Sequence, residues 1–178
     1  MMEYKRETKE STVTLSLDLH GTGSYDVKTD NKFLTHMLET LTKYAGWDLH
    51  LRATGDLDHH LVEDVAISLG QAFQQAHGGA PCQRMAYDII AMDDVMLVCV
   101  LDIVDRPYYE GPLPTPLWDH WFRSFAMESR TTLHLELRRG RDTHHATEAA
   151  FKALGRCMKA ALAPRDELLS TKGEVKTE

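Results

Sequence analysis

With 178 residues, 43% of them hydrophobic, the chain is long enough to bury one substantial core, and its formal charge of −7 leaves no basic excess for a nucleic-acid partner. Cys82, Cys99 and Cys157 are odd in number and widely spaced, so they give neither a disulfide framework nor a C-x-x-C metal site, and a reducing cytoplasm is the expected location. No stretch approaches the length of a membrane span, and no apolar run follows the first residues, Met1 to Arg6.

Residues 13–19 alternate apolar and polar and predict a half-buried strand. Gly21-Thr22-Gly23 turns it into a second strand through Val27. Over residues 33–45, Phe33, Met37, Leu38 and Leu41 share one helical face. Residues 47–53 alternate again, with Leu49 and Leu51 on one side and His50 and Arg52 on the other. A longer helix is predicted from about His59 to His77, striped by Val62, Val65, Ala66, Leu69 and Phe73. A strand at 85–90 bridges to a second set in the same order: strands at 96–103 and 106–110, a helix at 117–127, a strand at 131–137 and a helix at 144–162. Each half reads as β-β-α-β-α. The expected fold is α+β, an internal duplication forming two mixed four-stranded sheets with the helices packed between them. The halves are residues 1–82 and 83–178, integrated into one domain.

The duplication is written in the residues themselves. His59-His60-Leu61-Val62-Glu63 and His144-His145-Ala146-Thr147-Glu148 repeat the pattern His-His-x-x-Glu. One shift places Asp18 on Asp102, His36 on His120 and Leu49-His50-Leu51 on Leu133-His134-Leu135. After one inserted residue, Leu69-Gly70 falls on Leu154-Gly155 and Ala76 on Ala161.

The matched side chains are metal ligands by type. Each Glu lies three residues after one His and four after the other, so on a helical turn it can share a face with either. Asp58 and Asp142 stand just upstream as candidate N-caps. Imidazole with carboxylate is a borderline-to-hard set suited to Mn²⁺, Fe²⁺, Co²⁺ or Zn²⁺. His36, His59, His60, His120, His144 and His145 with Glu63 and Glu148 divide into three His and one Glu per ion, which leaves positions open for water and substrate. The order is not that of the metalloprotease helix, which requires His-Glu-x-x-His. His50 and His134 are matched but lie on polar strand faces and read as structural; His20 and His77 are unmatched. A dinuclear hydrolase and a metal-storage module use similar ligands and stay open at this point.

Several longer segments resemble the imidazoleglycerol-phosphate dehydratase family. They are Arg6-Glu7-Thr8-Lys9-Glu10-Ser11, Phe33-Leu34-Thr35-His36-Met37-Leu38, Gly55 through Asp64, Arg84, Met92-Asp93-Asp94, Asp102 through Pro107, the second His-His-x-x-Glu with Phe151-Lys152-Ala153, and Ser170-Thr171-Lys172-Gly173. The chain departs from the family at Thr35, at Asp30-Asn31-Lys32, at Tyr44 and at Val104-Asp105, where Ser-Gly is usual. The resemblance implies a hydro-lyase of histidine biosynthesis that dehydrates D-erythro-imidazole-glycerol phosphate to imidazole-acetol phosphate. It implies two Mn²⁺ per subunit on the ligands named above, Glu10 as the acid–base residue, and Asp93 orienting the site. Arg84, Arg106, Ser170 and Lys172 would bind the substrate phosphate, the last two on a C-terminal tail. The family's assembly, a homo-oligomeric cage of 24 subunits built of trimers with metals at subunit contacts, is the expected quaternary state.

Overall fold

The computed structural model describes residues 1–111 and 113–171. Its elements run β1 (Met2–Glu7), β2 (Ser11–Asp18), β3 (Tyr25–Thr29), α1 (Lys32–Ala45), β4 (Asp48–Gly55) and α2 (Asp58–His77). The second set is β5 (Met85–Met92), β6 (Val95–Asp102), β7 (Tyr108–Glu110), α3 (Pro116–Glu128), β8 (Thr132–Arg139) and α4 (Thr143–Ala161). Two four-stranded sheets result, ordered β1-β2-β4-β3 and β5-β6-β8-β7. In each, the last pair is parallel and the others antiparallel, so both sheets are mixed, as expected.

Strand alternation decides which side of each sheet is covered. Leu49, Leu51 and Ala53 of β4 are buried, whereas His50, Arg52 and Thr54 face outward. β6 buries Val95, Leu97, Cys99 and Leu101 in the same way. The long helices lie on these faces, α2 on the first sheet and α4 on the second. α4 is buried over most of its circumference, from Ala146 to Ala161, as a helix between layers must be.

One strand was not legible in the sequence. β1 reads Met-Glu-Tyr-Lys-Arg-Glu and lies at a sheet edge, with Met2, Tyr4 and Arg6 only half-buried. With it counted, each half is β-β-β-α-β-α, and the strand read as a bridge, β5, is the counterpart of β1. The cap of α2 also differs from expectation: Leu57 is the N-cap residue, while Asp58 begins the helix and accepts a hydrogen bond from Asn31 Nδ2 at 2.9 Å. Asp142 does cap α4, accepting the His145 N–H at 3.0 Å.

The short helices cross between halves, α1 packing on α4 and α3 on α2. The matched glycines explain how closely they approach. A Cβ at Gly70 would stand 2.9 Å from Phe125 O of α3 and from the N of its C-cap residue, Ser129. At Gly155 it would stand 2.9 Å from Leu41 O and 3.0 Å from Ala45 N of α1. Alanine ordinarily favours a helix over glycine by about 1 kcal/mol, but here backbone atoms would have to separate. Gly70→Ala and Gly155→Ala are each expected to lower stability by about 1–3 kcal/mol through overpacking. Urea denaturation checks this; an unchanged or higher midpoint would mean that the helix pairs can spread.

Candidate active site

The crossed helix pairs bring ligands of both halves together. His36 on α1 lies 3.4 Å from Glu148 on α4, Nε2 to Oε2, and His144 Nε2 reaches the same oxygen at 3.2 Å. On the other pair, His59 Nε2 is 3.7 Å from Glu63 Oε2, both on α2, and His120 Nε2 on α3 is 3.2 Å from Glu63 Oε1. Each cluster therefore has two imidazoles and one carboxylate, with ligand atoms within 4.8 Å of one another. In both, the helix spacing in use is His to Glu at i, i+4.

The second histidine of each motif is one residue further on, about 100° round the helix, and it points elsewhere. His60 Nδ1 meets Asp56 Oδ1 at 2.8 Å, with Glu10 Oε2 at 3.8 Å. His145 Nδ1 meets Asp94 Oδ1 at 3.1 Å, and its Nε2 meets Asp93 Oδ2 at 3.3 Å. The expected set of three His and one Glu per ion is thus not gathered within one subunit. The hydrogen bond that His60 donates to Asp56 raises its pKa, and the one that His145 donates to Asp94 does the same. Asp94 itself is lowered to about 2, first by the Arg141 N–H and then by His145 and the Asp142 N–H.

Glu10 and Asp93 lie on matched turns, on which the repeat register sets Asp94 against Glu10. Glu10 sits on the turn between β1 and β2, and Asp93 on the turn between β5 and β6, each beside the outward histidine of its own half. Without β1 the sequence offers no partner for Glu10; the duplicated hairpin supplies one. Lys152, unassigned from sequence, lies one helical turn past Glu148 and donates to its Oε1 at 2.8 Å. Burial pushes the Glu148 carboxyl up, but Lys152 and His36 outweigh it and the net shift is downward.

The fit of the clusters to a cation rests on an orphaned atom as well as on donor type. Among the described residues His120 Nε2 is buried and makes no hydrogen bond, although Glu63 Oε1 is only 3.2 Å away. A buried polar nitrogen left without a partner is costly, and a divalent ion on Glu63 would satisfy it.

A cavity of about 720 Å³ lies elsewhere. Arg84, Arg106 and Ser170 all line it, together with His77, Cys82, Asp105 and Arg130, to which the sequence assigned no site role. Arg84 grips Asp102 with two donors, Nε to Oδ1 at 2.6 Å and Nη2 to Oδ2 at 3.0 Å, and holds Leu169 O at 2.7 Å through Nη1. It thereby fixes the segment that carries Ser170. Arg106 makes no ion pair among the described residues. Lys172 lies outside the described residues. Arg84, Asp105 and Arg130 adopt φ of 70°, 57° and 55°, and Asp105 pairs with Arg130. Asp105 thus holds a conformation that carries no penalty only for glycine.

Cavity and clusters occupy opposite ends of the long helices. The cavity is lined by Gln74 and His77 at the end of α2, and the Arg84 N–H bonds to Ala161 O at the end of α4. From Glu63 to His77 is about 21 Å at helical rise, and from Glu148 to Ala161 about 20 Å.

Comparison with known proteins shows the family and the fold. The imidazoleglycerol-phosphate dehydratase family profile matches residues 29–158. The imidazoleglycerol-phosphate dehydratase of Chlorobium chlorochromatii is 42% identical over 95% of this chain and 94% of its own, and that of Pyrobaculum calidifontis 40% identical over 98% and 100%. The solved enzyme of Pyrococcus furiosus superimposes with a TM-score of 0.85 at 31% identity, covering 96% of this chain and 99% of that one. The solved Staphylococcus aureus enzyme gives 0.82 at 31% identity, covering 93% and 100%. Among the described residues no helix is long and apolar enough to cross a membrane. The duplicated fold and the sequence likeness over nearly the whole length lead to one assignment: this chain belongs to the imidazoleglycerol-phosphate dehydratase family, hydro-lyases of histidine biosynthesis that act on a small phosphorylated substrate.

Proposed function

We propose that the protein dehydrates D-erythro-imidazole-glycerol phosphate to imidazole-acetol phosphate in a metal-dependent reaction, with two Mn²⁺ per subunit and sites completed between subunits. The observation that carries this is the pair of His-His-Glu clusters, related by the duplication and each assembled from both halves. His36, His144 and Glu148 would hold one ion, and His59, Glu63 and His120 the other. Bound there, a divalent metal supplies a Lewis acid that acidifies the substrate's imidazole ring and spreads the charge developing as hydroxide leaves. Because each cluster needs both halves, residues 1–82 and 83–178 act as one unit.

The remaining roles belong to side chains of the chain itself. Glu10 moves protons at the glycerol carbons. Asp93, 3.3 Å from His145, orients that imidazole. Arg106, Arg84 and Ser170 receive the phosphate, and a guanidinium suits it through its planar fork. Lys172 joins them by its place in the sequence. A separation of about 20 Å between cavity and clusters exceeds the reach of a phosphorylated imidazole-glycerol, which supports phosphate and ring being held by different subunits. His60 and His145, half-buried and turned away from the clusters of their own subunit, would serve a neighbour's ions. A homo-oligomer follows, which we assign to the family's 24-subunit cage of trimers, in the cytoplasm.

Chelation tests the reading. Exhaustive removal of divalent metal is expected to abolish turnover, Mn²⁺ to restore it, and size-exclusion elution to shift to smaller species, because an ion bound only by the assembly stabilises the assembly. Full turnover by metal-depleted protein would sink metal dependence. Unchanged elution would count against ions at subunit contacts.

A further inference from the structure

Behind the turn that carries Glu10 lies a carboxylate that neither ligand cluster uses. Asp64 follows Glu63 on α2 and is only 7% exposed. Three side chains from around the β1–β2 turn converge on it. Arg6 Nε donates to Oδ1 at 2.8 Å, while Ser11 Oγ and, at 3.4 Å, Thr8 Oγ1 donate to Oδ2. Thr8 Oγ1 in turn accepts the backbone N–H groups of Glu10 at 3.1 Å and Ser11 at 3.0 Å. The Glu10 carbonyl accepts the Asp56 N–H at 3.0 Å, so its main chain is held from both sides. Two hydrogen bonds connect the Asp64 carboxylate to the Glu10 backbone.

The duplication provides an internal control. In the second half the residue after Glu148 is Ala149, fully buried. There the matched turn is held from its own side by Asp94, which accepts the Arg141 N–H at 2.7 Å and the Asp142 N–H at 3.3 Å. A buried carboxylate at this helix position is therefore not a requirement of the half-repeat fold. Burying one is costly unless charge and hydrogen bonds compensate, and here the compensation comes from the segment that presents Glu10.

We infer that Asp64 is a positioning residue, fixing the β1–β2 turn so that Glu10 meets the reacting carbons. This rests on the reading of Glu10 as the acid–base residue. A displacement of about 1 Å at a reacting group can cost on the order of 10²-fold in rate. Asp64→Asn keeps the shape and an acceptor but loses the charge that holds Arg6. Thr8→Val breaks the link to the Glu10 N–H on an exposed turn, where folding is not at stake.

Both variants are expected to lose turnover by about 10- to 100-fold, with KM, metal content and assembly unchanged. In a Glu10→Gln background neither should cause further loss, because the group they position is already absent. Wild-type turnover in both variants, or losses that multiply with that of Glu10→Gln, would overturn the positioning role while leaving the acid–base reading intact. A Glu10→Gln enzyme of normal turnover would instead overturn the acid–base reading, and this inference with it.

Discussion

Glu10→Gln is expected to reduce turnover by about 10²–10⁴-fold, the range for loss of a general acid–base group, with metal content, assembly and substrate affinity nearly intact. The side chain is exposed, on a turn outside both His-His-Glu clusters, and its carboxylate is 3.8 Å from His60 Nδ1. An interaction made only in the transition state appears in kcat and kcat/KM together. Arg106→Ala should behave oppositely. Its guanidinium has no ion-pair partner among the described residues and faces the cavity at the far end of α2. Losing a charge-assisted contact to phosphate weakens binding by about 1.5–3 kcal/mol, one to two decades in affinity. Steady-state kinetics on both variants separates the roles; loss of metal from Glu10→Gln with normal binding by Arg106→Ala would reverse them.

Subunits lacking a ligand carboxylate and subunits lacking the phosphate arginine should rescue one another. Glu63→Ala and Glu148→Ala each leave two imidazoles without their carboxylate, and each is expected to lose metal and essentially all turnover, because metal affinity needs the full donor set. Arg84→Ala combined with Arg106→Ala should remove the two arginines assigned to the phosphate, leaving Arg130 paired with Asp105 and the clusters untouched. If ring and phosphate are held by different subunits, oligomers co-assembled from the two kinds contain sites with an intact cluster facing an intact cavity. Mixed assemblies should then turn over substrate that neither parent handles. Activity no greater than the sum of the parents, in oligomers shown by mass to contain both subunits, would place ring and phosphate within one chain.

Much of this molecule is readable from its residues because the duplication doubles every signal. Strands such as β4, with Leu49 and Leu51 against His50 and Arg52, declare their buried face by period alone. The long helices declare theirs by stripe and by matched glycines. Candidate donors were legible as well, since donor type and spacing within a helical turn are local properties. β1 was not, because an edge strand of alternating charge has only half-buried positions to mark it. Missing it concealed that the hairpin of Glu10 repeats as the hairpin of Asp93.

What only the tertiary structure decided is which ligands meet. Nothing local pairs His36 with Glu148, or His120 with Glu63. That pairing follows from α1 packing on α4 and α3 on α2 across Gly155 and Gly70, a choice made by non-local packing of apolar stripes. Helix phase alone turns His60 and His145 away from their sequence neighbours, but the tertiary structure places Asp94, on the β5–β6 turn, beside His145. It also sets the arginine-lined cavity at the opposite end of the helices. Sequence fixes which donors a half-repeat carries, because donors are chosen residue by residue. Distance between donors is a property of the assembled layers, and under the proposed function the distance of about 20 Å along α2 and α4 assigns ring and phosphate to different subunits.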